Sequence, residues 1–230
     1  MSESPEMPPL SDEPMLPEDA RLLWAGGPAP DAGPRLRKHD LVREVKRIIE
    51  ATALLDVNDS DDARLVTLIT EARALADDLD AHPSLRHKGG LSGAGGEDGV
   101  LVERSGISGR SNPLAPPLFI DMSDPEITRG NAVWTNAYEG PPNSLHGGFV
   151  AAAFDDLLGC AQMASGYAGF TGTLSVRMIL PTPLNRRIDY EAGVRSVEGR
   201  KILCWGTARD GEDLLAEAEC LFIRPKGGLS

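Results

Sequence analysis

The residues of this sequence best suited to chemistry lie in one stretch, from Ser144 to Met163, which holds His146-Gly147-Gly148 at its start and Asp155-Asp156 in its middle. The stretch is apolar on nearly every side, which predicts a buried helix. Two adjacent carboxylates are costly there unless something pairs with them or uses them. At 100° per residue, Asp155 shares a face with Gly148, Ala151, Ala152 and Gly159, whereas Asp156 turns toward Phe149, Ala153, Cys160 and Met163. A stripe of small residues leaves room for a ligand or a second backbone. Asp155 is therefore expected to face a cleft, and Asp156 to accept a structural hydrogen bond.

The glycines suggest a second function at the other end. The first amides of a helix have no intrahelical acceptor and carry the positive end of its dipole, so Gly147 and Gly148 suit a carbonyl oxygen that becomes an oxyanion. They equally suit a helix that must start against a tightly packed strand, and the sequence does not choose. Eight residues separate Gly147 from Asp155, about 12 Å of helix rise. If both serve one reaction, they come from different subunits. A two-fold dimer with antiparallel central helices would form two equivalent sites.

Other chemistries find little support. Cys160, Cys204 and Cys220 are far apart, odd in number and without metal-ligand spacing, so reduced core thiols are expected and structural zinc is not. No Gly-x-Ser-x-Gly elbow is present, which leaves serine-hydrolase chemistry unsupported. The net charge of −12 argues against a nucleic-acid surface. Charge is unevenly spread, with 20 acidic and 11 basic residues in the first hundred positions and 15 and 12 in the remainder. Between 165 and 205 the sign reverses: Arg177, Arg186, Arg187, Arg195, Arg200 and Lys201 outnumber the acids there. Such a patch would suit an anionic ligand, or simply be a set of solvated strand faces and turns.

The rest of the 230 residues must position the central stretch. Residues 1–34 are rich in Pro, Glu, Asp and Ser and are expected to form a disordered tail. Over 35–82, two apolar sets with 3-4 spacing, from Leu41 to Ala53 and from Leu65 to Leu79, predict a helical hairpin. The Gly- and Pro-rich segment 83–116 reads as a linker. From 117 to 226 the period changes to two, with strands predicted at 118–122, 127–138, 170–180, 188–197, 201–209 and 214–224 around the central helix. The order β-β-α-β-β-β-β predicts an α+β fold in which an antiparallel sheet curls around a long helix. No apolar run is long enough for a membrane span and the first residues do not resemble a leader, so a cytoplasmic protein is expected.

With these residues in place, the stretch resembles the hotdog-fold acyl-CoA thioesterases of the phenylacetate-degradation (PaaI-like) type, and most closely the mammalian mitochondrial thioesterase-superfamily proteins. The match covers roughly 118–225. His146-Gly147-Gly148 followed by Asp155 has the family's spacing, Thr171 lies where members carry a catalytic Thr or Ser, and Pro181-Thr182-Pro183-Leu184 is similar to their strand-ending turn. Val197 to Lys201 and Glu217 to Ile223 resemble the last two strands.

The resemblance implies hydrolysis of acyl-CoA by a homodimer, or a tetramer built from dimers, with no cofactor. It implies that the Gly147 amide polarises the thioester carbonyl, with Gly148 beside it, and that Asp155 activates water or attacks directly. Thr171 would position that water, and His146 would orient the loop and the carbonyl or else be an ordinary structural histidine at the helix entrance. Some relatives carry an Asn six residues before the His; here that position is Gly140, so that contact is either absent or supplied by Asn143 instead. Arg177, Arg200 and Lys201 become candidates for the CoA phosphates.

Two other functions compete. A hydratase on the same fold would pair the His with an acid about fourteen residues later, where this chain has Cys160, and would carry an Asp-x-Asn-Pro-x-His signature that is missing. A non-catalytic acyl-CoA-binding or regulatory protein would use the helical hairpin to contact a partner.

Overall fold

A computed structural model describes residues 32–58, 61–84 and 104–226. Residues 1–31 of the expected tail and 85–103 of the expected linker lie outside the described residues.

Two helices occupy the expected hairpin, α1 (Gly33–Ala53) and α2 (Asp62–Asp80). Pro34 sits in the first turn of α1, where a missing N–H removes no helical bond. The helices do not form a mutually packed pair. No residue of α2 is buried, and Val66, Ile69 and Leu79 are exposed. Val42 alone is buried in α1, but Lys46, Ile49 and Ala53 face Pro113, Pro117 and Tyr138 of the main domain. The apolar stripe of α1 thus borders the domain rather than α2, with Leu41, Ile48 and Ile49 still exposed.

Residues 104–116, the end of the expected linker, are packed: Gly109, Ala115 and Pro116 are buried and Ser105 bonds to the central helix. There follow β1 (Leu118–Asp121), β2 (Thr128–Val133), the central helix α3 (Gly147–Ala164), β3 (Phe170–Met178), β4 (Arg187–Glu198), β5 (Lys201–Asp210) and β6 (Asp213–Ile223). The strands form one antiparallel sheet in the order β1-β2-β4-β5-β6-β3. The second strand is shorter than its predicted span because Asn136–Tyr138 closes into a 3-10 turn, while the Asn185 amide donates to the Trp134 carbonyl at 2.6 Å and ends the ladder. Gly199 and Gly211, with φ of 55° and 59°, make the two tight hairpin turns where a side chain would strain the backbone.

Helix α3 lies across one face of the sheet. Phe154, Leu157 and Leu158 are fully buried against Ile188, Ile202, Cys204 and Phe222, each such burial worth about 1.5–3 kcal/mol. Small residues let the helix come close: a Cβ on Gly206 would stand 3.3 Å from both Leu158 and Phe154. The buried indole donor of Trp134 is satisfied, its Nε1 donating to the Tyr190 hydroxyl at 3.0 Å. The opposite sheet face carries cross-strand ion pairs, among them Arg177 with Glu217 and Arg195 with Glu219.

The structure corrects the expectation that α3 is buried on nearly every side. The sheet covers only the face carrying the large residues. Along the small-residue stripe, Gly148 and Asp155 are exposed, Ala151, Ala152 and Gly159 are half-buried, and nothing lies within 4 Å of a Cβ placed on Gly159. The long sheet edge is also open, since β3 pairs on one side only and Phe170, Met178, Ile179 and Leu180 are exposed along and just beyond it.

Candidate active site

Helix α3 separates its two carboxylates as its period requires. Asp156 points inward and accepts from Ser105 Oγ at 3.2 and 3.3 Å, while Ser105 Oγ itself accepts the Ile107 and Ser108 amides. Ser108 faces the same carboxylate without a hydrogen bond of normal geometry. Burial pushes the Asp156 pKa up; the serines partly oppose it and Asp155 adds to it. Its ionised form therefore disfavours the fold. That penalty is absent below the ordinary carboxylate pKa, grows as pH rises through the folded-state value and is complete above it. Thermal melts should show Asp156→Asn gaining on the parent between about pH 4 and pH 8. A variant that loses ground over that range contradicts this role.

Asp155 faces the open side, where Thr171 Oγ1 donates to its Oδ1 at 3.1 Å. Strict alternation along β3 would turn Thr171 away from α3, with Thr173, Ser175 and Arg177. A bulge reverses it: Thr173 pairs with Leu221 and Thr171 with Phe222, leaving Gly172 as the extra residue. A Cβ there would stand 3.0 Å from the Leu221 carbonyl and 3.1 Å from Ile223 Cγ1, so glycine lets the bulge close. The pair borders an open cleft of about 600 Å³ that also takes in Arg104, Gly159, Gln162, Met163 and Phe170. Beneath it the Cys220 thiol is pushed up to about 12 by burial, with the Asp155 charge adding and a Thr171 hydrogen bond opposing. All three cysteines are buried and free.

At the other end of α3, His146 is the N-cap, and its Nδ1 accepts the Gly148 amide at 3.0 Å. Acceptance at Nδ1 leaves the proton of a neutral ring on Nε2. The Gly148 amide, expected to serve a ligand, is thus already engaged. Gly147, the first residue of the helix, has no acceptor for its N–H among the described residues. Met178 covers it, with Cε 3.0 Å from where a Cβ would stand.

Asn143 sits at the tip of the preceding turn with φ of 58°, exposed, its amide donating to Glu139 Oε1. Position 140 is glycine for a steric reason: a Cβ would lie 2.6 Å from the His146 Cα.

The basic candidates divide. Arg177 pairs with Glu217 at 2.9 Å on the sheet face away from α3. Lys201, Ile223 and Phe170 form one row across β5, β6 and β3, which puts Arg200 and Lys201 at the sheet end that carries Thr171. Arg200 Nε donates to the Arg224 carbonyl at 2.7 Å, and Lys201 is exposed. Arg186 and Arg187 are paired with Asp210 and Asp189. Ser105, Gly172 and the cover by Met178 have no signature in the sequence, because each depends on a cross-chain fit.

No protein-family model matches the chain. Among curated proteins, an acyl-coenzyme A thioesterase (THEM4) of Xenopus laevis is 33% identical over 88 residues, 37% of this chain and 40% of that protein. The match thus spans two fifths of that relative's length. Among solved structures, a thioesterase superfamily protein superposes with a TM-score of 0.71 at 27% identity, covering 85% of this chain and 97% of the other. Helix-on-sheet architecture, strand order and these likenesses make the chain a hotdog-fold protein, similar in fold and in sequence to the thioesterase superfamily.

Proposed function

We propose that the protein hydrolyses acyl-CoA thioesters to the free acid and CoA in a homodimer whose active sites are shared between subunits. The observation that carries this reading is the Thr171–Asp155 hydrogen bond on the open face of α3, eight residues from an uncommitted helix-start amide. Thr171 occupies one oxygen of the carboxylate and leaves the other to accept a proton from water. That water attacks the thioester carbonyl, and the developing oxyanion is met by the amide of Gly147 of the partner subunit. Collapse breaks the carbon–sulfur bond. The leaving thiolate needs little acid help, since thiols ionise near pH 8.5, and it takes back the proton held by Asp155. His146 holds the helix start rather than moving protons.

The open β3 edge and the open stripe of α3 support the dimer. A nine-residue edge strand with exposed apolar side chains is a surface that chains cover by pairing. Two copies meeting along it bring two α3 helices together antiparallel through Gly148, Ala151, Ala152 and Gly159. Arg200 and Lys201 lie at the Thr171 end of the sheet, beside Arg224, and would take the CoA phosphates.

Purified protein incubated with a panel of acyl-CoAs and a thiol-detecting dye tests the activity. Release of CoA is expected, whereas tight acyl-CoA binding without thiol release would establish the non-catalytic reading. Gly172→Val should close the bulge's space and turn Thr171 off Asp155, lowering kcat on the order of tenfold to hundredfold, the usual result of misplacing a positioning group. Unchanged kcat in the folded variant would remove Thr171 from the site.

A further inference from the structure

Helix α1 and the main domain form a half-open pocket of about 290 Å³. Its walls are apolar for the most part: Ile49 and Ala53 from α1, Leu114 and Pro117 from the packed segment before β1, and Tyr138 and Phe149 from the two sides of the α3 start. Three observations tie it to the reaction centre. Phe149 is two residues beyond Gly147 and lines the pocket. The Tyr138 carbonyl accepts the His146 amide at 3.0 Å, so the pocket wall is bonded to the residue before Gly147. Tyr138 and Phe149 meet edge to face, with ring centroids 4.9 Å apart, which fixes that wall.

We propose that this pocket receives the acyl tail of the substrate and that α1, outside the sheet-and-helix unit, sets the chain length accepted. The inference rests on the acyl-CoA hydrolase reading and adds the acyl class. With about twice the 150 Å³ that accommodates benzene in an engineered cavity, the pocket holds on the order of ten carbon atoms. Medium-chain acyl groups, hexanoyl to decanoyl, fit it; longer tails overrun it, and short ones leave apolar wall uncovered. Lys46 and Glu50, one turn apart on α1, mark the polar side of the pocket.

Ile49 is the position to vary, because it is half-exposed on α1 and its replacement leaves the core untouched. Ile49→Trp, which fills the pocket, should lower the ratio of kcat/KM for octanoyl-CoA over propionyl-CoA at least tenfold. Ile49→Ala, which enlarges it, should move the preferred chain length upward. A ratio within twofold of the parent in the Trp variant overturns the proposal. Binding of a non-hydrolysable octanoyl thioether of CoA, measured by calorimetry on the full chain, separates pocket from chemistry. If the parent releases no CoA yet Ile49→Trp weakens the thioether at least tenfold, the pocket stands and the hydrolase reading falls. If the thioether binds both proteins equally, or neither, the pocket assignment falls.

Discussion

Asp155→Asn should lower kcat for acyl-CoA hydrolysis by about 10²–10⁴, the range for removal of a positioned general base, with little change in thermal midpoint. Both halves follow from the placement of the side chain. Asp155 is exposed on the open face of α3 and contributes no burial to the core. An asparagine oxygen still accepts from Thr171 Oγ1, so the local geometry is kept while the base is lost. The contrast with Asp156 is sharp. Its substitution acts on stability and its pH dependence, because Asp156 is held inside by Ser105 and raised by burial. Steady-state kinetics with a medium-chain acyl-CoA, beside a melt of each protein, read the two residues apart. Full turnover in Asp155→Asn would remove it from the chemistry.

Gly147→Pro should cost about 10²–10³ in kcat, the usual loss of one oxyanion donor. Proline at the first helical position is well tolerated, because that N–H has no helical acceptor. It also requires the preceding residue to be extended, and His146 already has φ −61° and ψ 131°. The added Cβ meets only the end of Met178. The substitution deletes the donor and sets the ring Cδ where its hydrogen pointed, so an oxyanion can neither bond nor approach there. Gly147→Ala keeps the amide and meets the same methionine, so it should retain far more activity than the proline variant. Equal losses in the two would assign the effect to crowding under Met178.

Much of this site is legible in the order of the amino acids. The 3.6-residue period alone parts Asp155 from Asp156, and alternation places five of the six strands within a few residues. Contacts that depend on a partner element are not legible. Thr171 has the wrong parity for α3 until Gly172 bulges, and the close approach of Leu221 and Ile223 on β6 requires glycine in that bulge. The apolar stripes of α1 and α2 announce that each must pack on something without saying on what. α1 borders a pocket with Tyr138 and Pro117 of the domain, while no residue of α2 is buried. Ser105 lies in a segment whose composition reads as linker, and only the buried carboxylate it serves gives it a place.

Mixed subunits test the shared site most directly. Neither Asp155→Asn nor Gly147→Pro homodimers should turn over substrate at more than a small fraction of the parent rate. A mixed dimer, however, joins the intact Gly147 of one chain to the intact Asp155 of the other and restores one site of two. Equal co-expression with random pairing should recover about one quarter of the parental specific activity, since half the dimers are mixed. Activity no higher than the mean of the two homodimers, in a preparation shown to contain the mixed species, would mean that Gly147 and Asp155 do not meet across a dimer.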